Sequence, residues 1–219
     1  MRRRAFLIGL GSTIIAGAAR GIRAATALGP AWHVVPAITV WSAPQDPRLS
    51  LVDDAAAFWN RTFREIGSGF HLGAVSAGAG TVPIGALSAQ SGLALSGGRA
   101  IDMPDWLRGH AGEMVIVLSD DDFVSFTRRW MSAPTVLIGI KSGRSYPLTL
   151  PNATRNVIAH EMGHALGLAH NSNPALLMCG RPSPCRPDAF QSATEHYFPL
   201  SDDEKALLLR LYPPDWRAG

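Results

Sequence analysis

The sequence of 219 residues predicts an α+β fold from Leu28 onward. Short runs of β-branched and apolar residues, bounded by turn residues, alternate with longer stretches in which apolar side chains recur every three to four positions. The first pattern is typical of strands and the second of amphipathic helices. Hydrophobic residues make up 47% of the chain, so residues 28–219 are expected to bury one core as a single domain.

The first strand and the first helix are predicted from the region that follows residue 36. Residues 37–41 form an apolar, partly β-branched run that ends at a proline-rich turn, which is typical of a strand. Residues 51–66 carry apolar side chains at near-helical spacing, and Gly67 supplies a stop signal. We therefore expect a strand followed by an amphipathic helix.

Three further strands are predicted over residues 70–75, 114–118 and 135–140. Residues 114–118 are apolar throughout, which indicates a central strand. Residues 78–98, rich in glycine, serine and alanine, are the most loop-like stretch. Apolar residues interspersed along this stretch favour a folded surface loop over a disordered linker between domains.

Ser119 is followed by three aspartates, Asp120, Asp121 and Asp122, and allows two interpretations. Ser119 and Asp122 have the spacing of a helix N-terminus, where the helix dipole favours acids, so a helix is predicted over residues 123–131. Clustered carboxylates also suit calcium, although the alternating ligands of a calcium loop are missing. We expect the helix, and calcium stays the alternative.

The chain closes with a predicted helix after residue 201. Ser201 and Glu204 have the spacing of a capping box. Leu207, Leu208 and Leu211 follow at helical spacing, and the proline at residue 213 ends the pattern. This apolar stripe indicates a helix that packs on the core.

The candidate site is the run H-E-M-G-H-A-L-G-L-A-H at residues 160–170. A helix turns by about 100° per residue, so His160 and His164 project from one face and both imidazoles reach one ion. Gly167 can adopt positive φ, end the helix and turn the chain back, which brings His170 in as a third ligand. Three imidazoles leave one position of a tetrahedral zinc open, as expected of a catalytic site. Glu161 is the candidate general base.

The extended histidine motif, together with Met178 eight residues after its end, resembles the metzincin zinc endopeptidases and most closely the matrixins. The resemblance implies a metzincin-like zincin fold, with a twisted mixed sheet, two long helices and a small C-terminal subdomain that ends in a helix. It gives Met178 a place in a tight turn under the zinc. It also implies that residues 181–199 form the wall of a substrate pocket.

The same resemblance implies that residues 28–219 are a catalytic domain that hydrolyses peptide bonds. One Zn²⁺, held by His160, His164 and His170, would activate a water with Glu161 as general base, and the substrate would be a peptide or protein. Two alternatives remain open at this point. The chain can also be a non-catalytic, zinc-containing peptide-binding module, or a zinc hydrolase that acts on a non-peptide substrate.

The sequence departs from the matrixin pattern after the third histidine. Asn171 stands where serine is usual, and Asn173 stands where aspartate is usual. No histidine- and aspartate-rich segment precedes the site, so the structural zinc and calcium ions of matrixins are not carried over to this chain. A single catalytic Zn²⁺ is the expected cofactor.

Cys179 and Cys185 are the two cysteines of the chain. A disulfide that closes the short loop between them is the favoured interpretation in an oxidising compartment. The alternative is a free Cys179 thiol close to the zinc.

Residues 1–27 have the features of an export signal. Arg2, Arg3 and Arg4 precede an apolar stretch, and residues 25–27 offer an A-x-A cleavage site. The order of Arg3, Arg4 and the residues that follow is similar to a twin-arginine signal. Periplasmic or secreted location is therefore expected, with no stable membrane anchor after signal cleavage, because the apolar stretch is short.

The signal accounts for the basic charge of the chain. Of the 20 lysines and arginines, five lie before residue 28, which leaves 15 basic against 17 acidic residues, a net charge of −2. A nucleic-acid partner is therefore not expected.

Overall fold

The computed structural model describes residues 25, 27–78, 82, 85–95, 103–130, 134–144, 146–180, 185 and 194–219. The predicted signal over residues 1–27 lies outside these residues, apart from Ala25 and Ala27. Within the part of the chain that is described, no helix combines the length and apolar character needed to cross a bilayer.

The centre of the molecule is a mixed, mostly parallel sheet of five strands. The strands are β1 Ala37–Trp41, β2 Val75–Ala77, β3 Glu113–Leu118, β4 Phe126–Arg129 and β5 Val136–Ile140. They are ordered β2-β1-β3-β5-β4, and only β4 runs antiparallel to its neighbour, β5. The antiparallel strand β4 therefore forms one edge of the sheet.

Four α-helices and a short 3₁₀ turn are described around this sheet. The helices are α1 Leu49–Glu65, α2 Ala86–Leu95, α3 Pro151–Ala165 and α4 Asp202–Leu211, and the 3₁₀ turn is Asp105–Leu107. The helices α1 and α3 pack against each other, and α3 also contacts β4 and β5. This arrangement places the histidine motif beside the edge strand.

Each face of the sheet is buried by a different hydrophobic cluster, because side chains alternate along a strand. The larger cluster joins the strands to α1, α3 and α4, with fully buried members such as Ile38, Ile116, Ile138, Trp59, Ile158 and Met162. The smaller cluster on the other face includes Trp41, Val115, Leu137, Phe126 and Leu87. The central strands β3 and β5 are therefore covered on both sides, as parallel strands usually are, whereas β2 at the edge is largely exposed.

The elements with strong local patterns are confirmed. The first strand has the predicted bounds, α1 begins two residues earlier than predicted, and β3 and β5 differ from their predictions by one residue. Gly67 follows α1 with φ of 77°, as expected of a helix stop. Ser201 and Glu204 form the predicted capping box at the start of α4.

The strand predicted over residues 70–75 is wrong in its bounds, because β2 begins only at Val75. Phe70 and Leu72 are buried, as their apolar character requires. The backbone of Leu72, however, pairs with the side-chain amide of Asn60 on α1, through bonds of 2.7 and 3.2 Å. An asparagine side chain thus takes the place of a neighbouring strand.

The helix predicted over residues 123–131 is also wrong, because β4 occupies Phe126–Arg129. The Ser119 hydroxyl does accept a hydrogen bond from the Asp121 backbone N–H, at 2.9 Å, but it closes a local turn and caps no helix. Pairing with β5 outweighs the local helix signal.

The aspartates of this turn lie beside basic side chains. Asp120 accepts from Arg144 at 2.9 Å, and Asp122 pairs with Lys141 at 2.7 Å. These two carboxylates are neutralised by protein cations, and among the described residues they do not belong to a group of potential metal ligands.

The surface loop expected over residues 78–98 is wrong for Ala86–Leu95, which forms α2. Leu87 is buried against the smaller cluster, and the Ser91 hydroxyl donates to the Val124 carbonyl at 2.7 Å. Small residues dominate this helix, so its sequence shows no clear amphipathic stripe, and packing against the sheet decides its structure.

A buried ion pair joins the start of α1 to the carboxyl ends of the central strands. The Arg48 guanidinium donates to both oxygens of Asp46 and to the carbonyls of Ser119 and Lys141, both at 2.9 Å. Burial opposes ionisation of Asp46, but the hydrogen bonds and charge of Arg48 outweigh burial and lower the pKa of Asp46. One side chain therefore connects the helix layer to two strands.

We expect Asp46→Asn to lower the free energy of unfolding by about 1–3 kcal/mol at neutral pH, because it removes the charged partner of a buried guanidinium. The pKa of Asp46 is lower in the folded than in the unfolded state, so its ionised form stabilises the fold above the unfolded value of about 3.9. The difference between the two proteins should therefore shrink as pH falls through the folded-state pKa. Urea denaturation at several pH values measures this difference in the free energy of unfolding.

Asp105→Asn is the matched control, because Asp105 and its partner Arg108 have side-chain exposures of 92% and 64%. No measurable loss of unfolding free energy is expected for Asp105→Asn. An equal effect of the two substitutions would contradict the role given to Asp46.

Candidate metal centre

The helix α3 carries two of the three predicted ligands and then reverses the chain toward the third. The helix begins with Pro151 at its first turn and ends at Ala165. Gly167 has φ of 102°, and the Leu168 N–H returns to the Gly163 carbonyl at 2.9 Å. This left-handed turn directs the following residues back along the helix, where His170 joins His160 and His164.

The three imidazoles converge on one point. The Nε2 atom of His170 lies 3.2 Å from that of His160 and 3.0 Å from that of His164. Zinc–nitrogen bonds of about 2.0–2.1 Å at tetrahedral angles require nitrogen pairs about 3.3 Å apart. The spacing of the three rings therefore fits a single zinc ion.

Two of the rings are oriented by backbone carbonyls. The Nδ1 atom of His160 lies 2.8 Å from the Leu177 carbonyl, and that of His164 lies 2.7 Å from the Leu168 carbonyl. A carbonyl only accepts, so both Nδ1 atoms carry the proton and both Nε2 lone pairs face inward. Converging lone pairs repel one another unless a cation lies between them.

The neutral form of the ligands is favoured by their surroundings. Burial lowers the pKa of His164, and the hydrogen bond with Leu168 only partly offsets this. Desolvation of the His170 ring nitrogens, followed by the nearby His164, lowers the pKa of His170 to about 4, although the residue as a whole is exposed. Metals bind deprotonated ligands, so both of these pKa shifts favour metal binding at neutral pH.

Glu161 lies beside these ligands on α3 and is 7% exposed. Its Oε2 atom accepts a hydrogen bond of 2.8 Å from the hydroxyl of Thr127, on the edge strand β4. Burial raises the pKa of Glu161 to about 7, and the bond from Thr127 acts in the opposite direction. The carboxyl group can therefore take up or release a proton near neutral pH.

The turn around Met178 is tied to the third ligand. The Asn171 N–H donates to the Met178 carbonyl at 2.8 Å, and the Gly180 N–H donates to the Asn171 carbonyl at 3.2 Å. Met178 is fully buried, and its side chain lies against Gly163 of α3, where any Cβ would meet its sulfur. The structure thus brings Met178 to the turn of α3 that carries His164.

The residues that depart from the matrixin pattern have partners of their own. The Asn171 side-chain amide donates to Glu204 Oε1 at 2.6 Å, and Glu204 is only 3% exposed. The Asn173 carboxamide oxygen accepts from the Ala175 N–H at 3.0 Å and closes a local turn. Asn171 therefore links the third-ligand loop to the capping box of α4.

Cys179 and Cys185 form a disulfide, so the free-thiol alternative does not hold in this structure. Gly180, which follows Cys179, packs directly against the His170 ring, and a Cβ at this position would overlap the ring. The disulfide and the glycine together shape the chain immediately below the third ligand.

The expected pocket wall over residues 181–199 is described at residue 185 and from residue 194 onward. Asn152 of α3 donates to the Thr194 carbonyl at 2.6 Å and accepts from the His196 N–H at 3.1 Å. One turn later, Asn156 donates to the His196 carbonyl at 3.0 Å and accepts from the Phe198 N–H at 2.9 Å. The side-chain amides of Asn152 and Asn156 thus pair with the main chain of this segment and hold it along α3, in the way that a neighbouring strand pairs with a strand.

Three residues contribute to the site although the sequence does not indicate this role. Thr127 lies in a segment predicted as helix, and Glu204 is recognisable only as a capping residue. The glycine at residue 180 follows a cysteine without any turn signature. Thr127 and Glu204 act through contacts with residues that are distant in sequence. Gly180 contacts His170, and this contact depends on the path of the chain between the two residues.

We expect Gly180→Ala to weaken zinc binding by about 10- to 100-fold, because the added methyl group displaces the His170 ring. Competition with a chromophoric chelator measures the affinity, and circular dichroism checks the fold. Gly143→Ala is the matched control, since its Cβ would make only ordinary contacts, the nearest 3.6 Å from Arg48. Unchanged affinity in folded Gly180→Ala protein would contradict this role of Gly180.

We expect Asn171→Asp to lower both thermal stability and zinc affinity, because it places a second carboxylate against the buried Glu204. Loss of the hydrogen bond alone costs about 1–3 kcal/mol at a buried partner. Calorimetry and the same chelator competition measure the two effects. Asn173→Asp should be tolerated, since a carboxylate can accept the same bond from Ala175 in an exposed turn.

Comparisons with known proteins give structural neighbours at low similarity. No protein-family model and no curated protein matches the sequence. Archaemetzincin from Methanopyrus kandleri is 18% identical with a TM-score of 0.49, and the match covers 83% of this chain and 97% of that chain. Metalloproteinase-II from Bacteroides fragilis is 16% identical with a TM-score of 0.45, and the match covers 84% of this chain and 55% of that chain. Likeness at these values carries no conclusion about function.

Proposed function

We propose that the chain is a zinc-dependent endopeptidase of the metzincin type, with matrixin-like features. The single observation that carries this proposal is the convergence of three imidazole Nε2 atoms beside a buried carboxyl group. His160, His164 and His170 would hold one Zn²⁺ and leave it an open position, and Glu161 would act as general base. The turn at Met178 and the glycine turn at Gly167 support the metzincin type.

When bound, the zinc ion lowers the pKa of a water molecule and polarises a carbonyl group. Thr127 engages Oε2 of Glu161, so we assign Oε1 as the atom that takes a proton from the attacking water. Glu161 then delivers this proton to the leaving amine nitrogen.

The edge of the sheet supports a peptide as the substrate. Trp130 donates to the Thr135 carbonyl across the β4–β5 pair, so by the alternation of antiparallel pairing the backbone groups of Thr127 and Arg129 point away from β5. Among the described residues, β4 has no strand on that side. An extended peptide can add there as a further strand, next to the side chain that contacts Glu161.

We also propose that the protein is exported to the periplasm or beyond the cell, after cleavage of a twin-arginine signal over residues 1–27. The arginines and the apolar stretch of that segment support export, and the disulfide between Cys179 and Cys185 is of a kind that persists in oxidising compartments. The mature protein would then have no stable membrane anchor and no nucleic-acid partner.

Glu161→Gln should retain zinc and abolish peptide cleavage, because the amide keeps the size of the side chain and cannot accept the proton. The assay is hydrolysis of a quenched peptide library by purified protein, with zinc content measured in parallel. Loss of cleavage by at least about 100-fold at unchanged zinc content is expected. Full activity of this variant would refute the role of Glu161.

Two controls separate the proposed enzyme from other functions. Glu65→Gln, at a side chain that is 67% exposed, should leave cleavage unchanged. A zinc chelator should abolish cleavage, and added Zn²⁺ should restore it. Peptide binding without turnover would identify a binding module, and turnover of small esters or amides without peptide cleavage would identify a hydrolase for another substrate.

A further inference from the structure

Thr127 connects the edge strand to the candidate general base through a single hydroxyl group. Its Oγ1 atom lies 2.8 Å from Oε2 of Glu161 and 2.7 Å from the backbone carbonyl oxygen of the same residue. Glu161 is 7% exposed, so water cannot readily replace this partner. The hydroxyl is therefore placed to decide which way the carboxyl group of Glu161 faces.

The hydroxyl has one proton for these two acceptors. Hydrogen bonds to ionised groups are stronger than those to neutral groups, so the proton of Thr127 goes to Oε2 when Glu161 is a carboxylate. The backbone carbonyl of Glu161 is the second acceptor within reach of the same hydroxyl.

We propose that Thr127 is a positioning residue for Glu161, which holds Oε2 and thereby reserves Oε1 for the proton that moves during hydrolysis. This inference rests on the proposed function and deepens it. Without the hydroxyl, both carboxylate oxygens would lack a fixed partner in a buried place, and the side chain would take up other rotamers.

The competing explanation is that Thr127 only fastens β4 to α3. A purely structural bond would affect the free energy of unfolding and leave turnover by the folded protein unchanged. Valine matches the shape of threonine but lacks the hydroxyl, and serine keeps the hydroxyl but lacks the methyl group. The pair Thr127→Val and Thr127→Ser therefore separates the hydroxyl from the packing of the side chain.

The first test is steady-state hydrolysis of a cleavable peptide by the zinc-loaded full chain. Thr127→Val should lower kcat by about 10- to 100-fold, the size expected for loss of a hydrogen bond to a charged group, with KM changed less than about twofold. Thr127→Ser should restore kcat to within about threefold of the wild type, because the bond to Oε2 returns. Equal kcat for Thr127→Val and wild type would overturn the inference.

Thr135→Val is the matched control within the same sheet. Thr135 is fully buried, and its hydroxyl donates to the His110 carbonyl at 2.9 Å, away from the ligands. This variant should lose stability and keep the wild-type kcat when folded. A similar fall in kcat for Thr135→Val and Thr127→Val would assign both effects to the sheet and overturn the inference.

The second test uses the metal-free protein and needs no activity. Carbon-13 labelling of the glutamate carboxyl carbons gives a resonance for Glu161, assigned by its absence in Glu161→Gln. This resonance should be single and sharp in wild type and Thr127→Ser, and shifted or split in Thr127→Val. An unchanged resonance in Thr127→Val would overturn the inference, whereas an inactive wild type with the expected spectra would overturn the proposed function alone.

Discussion

The convergence of three imidazole nitrogens on one point is the constraint on which the site depends. The Nε2 atoms of His160 and His170 are 3.2 Å apart, and those of His164 and His170 are 3.0 Å apart. Backbone carbonyls orient two of the three rings, those of His160 and His164, through their Nδ1 atoms. Contacts of this kind fix the orientation of the rings and direct their Nε2 atoms to one point.

The carboxyl end of α3 is held by residues from three distant parts of the chain: the segment before β1, strand β4 and the residue after α4. The Ala165 carbonyl accepts from the Trp32 indole at 2.9 Å and from Arg129 at 2.5 Å, and the Tyr212 hydroxyl donates to the Leu166 carbonyl at 3.1 Å. Helix ends leave carbonyls unsatisfied, and here they are bound within the protein. The segment before β1 and the residue after α4 thus fix the point at which the chain turns toward His170.

Local patterns in the sequence predict the parts of this structure that short-range physics determines. The ligands, Glu161 and Gly167 follow from helical spacing and backbone freedom, and the first strand, the first helix and the final capping box follow from side-chain periodicity. The strand β4 and the helix α2 do not, because pairing with β5 and packing on the sheet override weak local preferences. Thr127 belongs to the second group, so its contact with Glu161 was not predictable from the sequence.

Residues 194–198 are attached to α3 through hydrogen bonds to their main-chain atoms. The hydrogen bonds described between Asn152, Asn156 and this segment end on its main-chain nitrogen and oxygen atoms. Thr194 and His196 are exposed, and the His196 ring also packs against the ring of Phe198. Substitutions at residues 194 and 196 therefore leave in place the acceptors and donors that attach the segment to α3, because every backbone keeps its carbonyl group and every residue other than proline keeps its N–H.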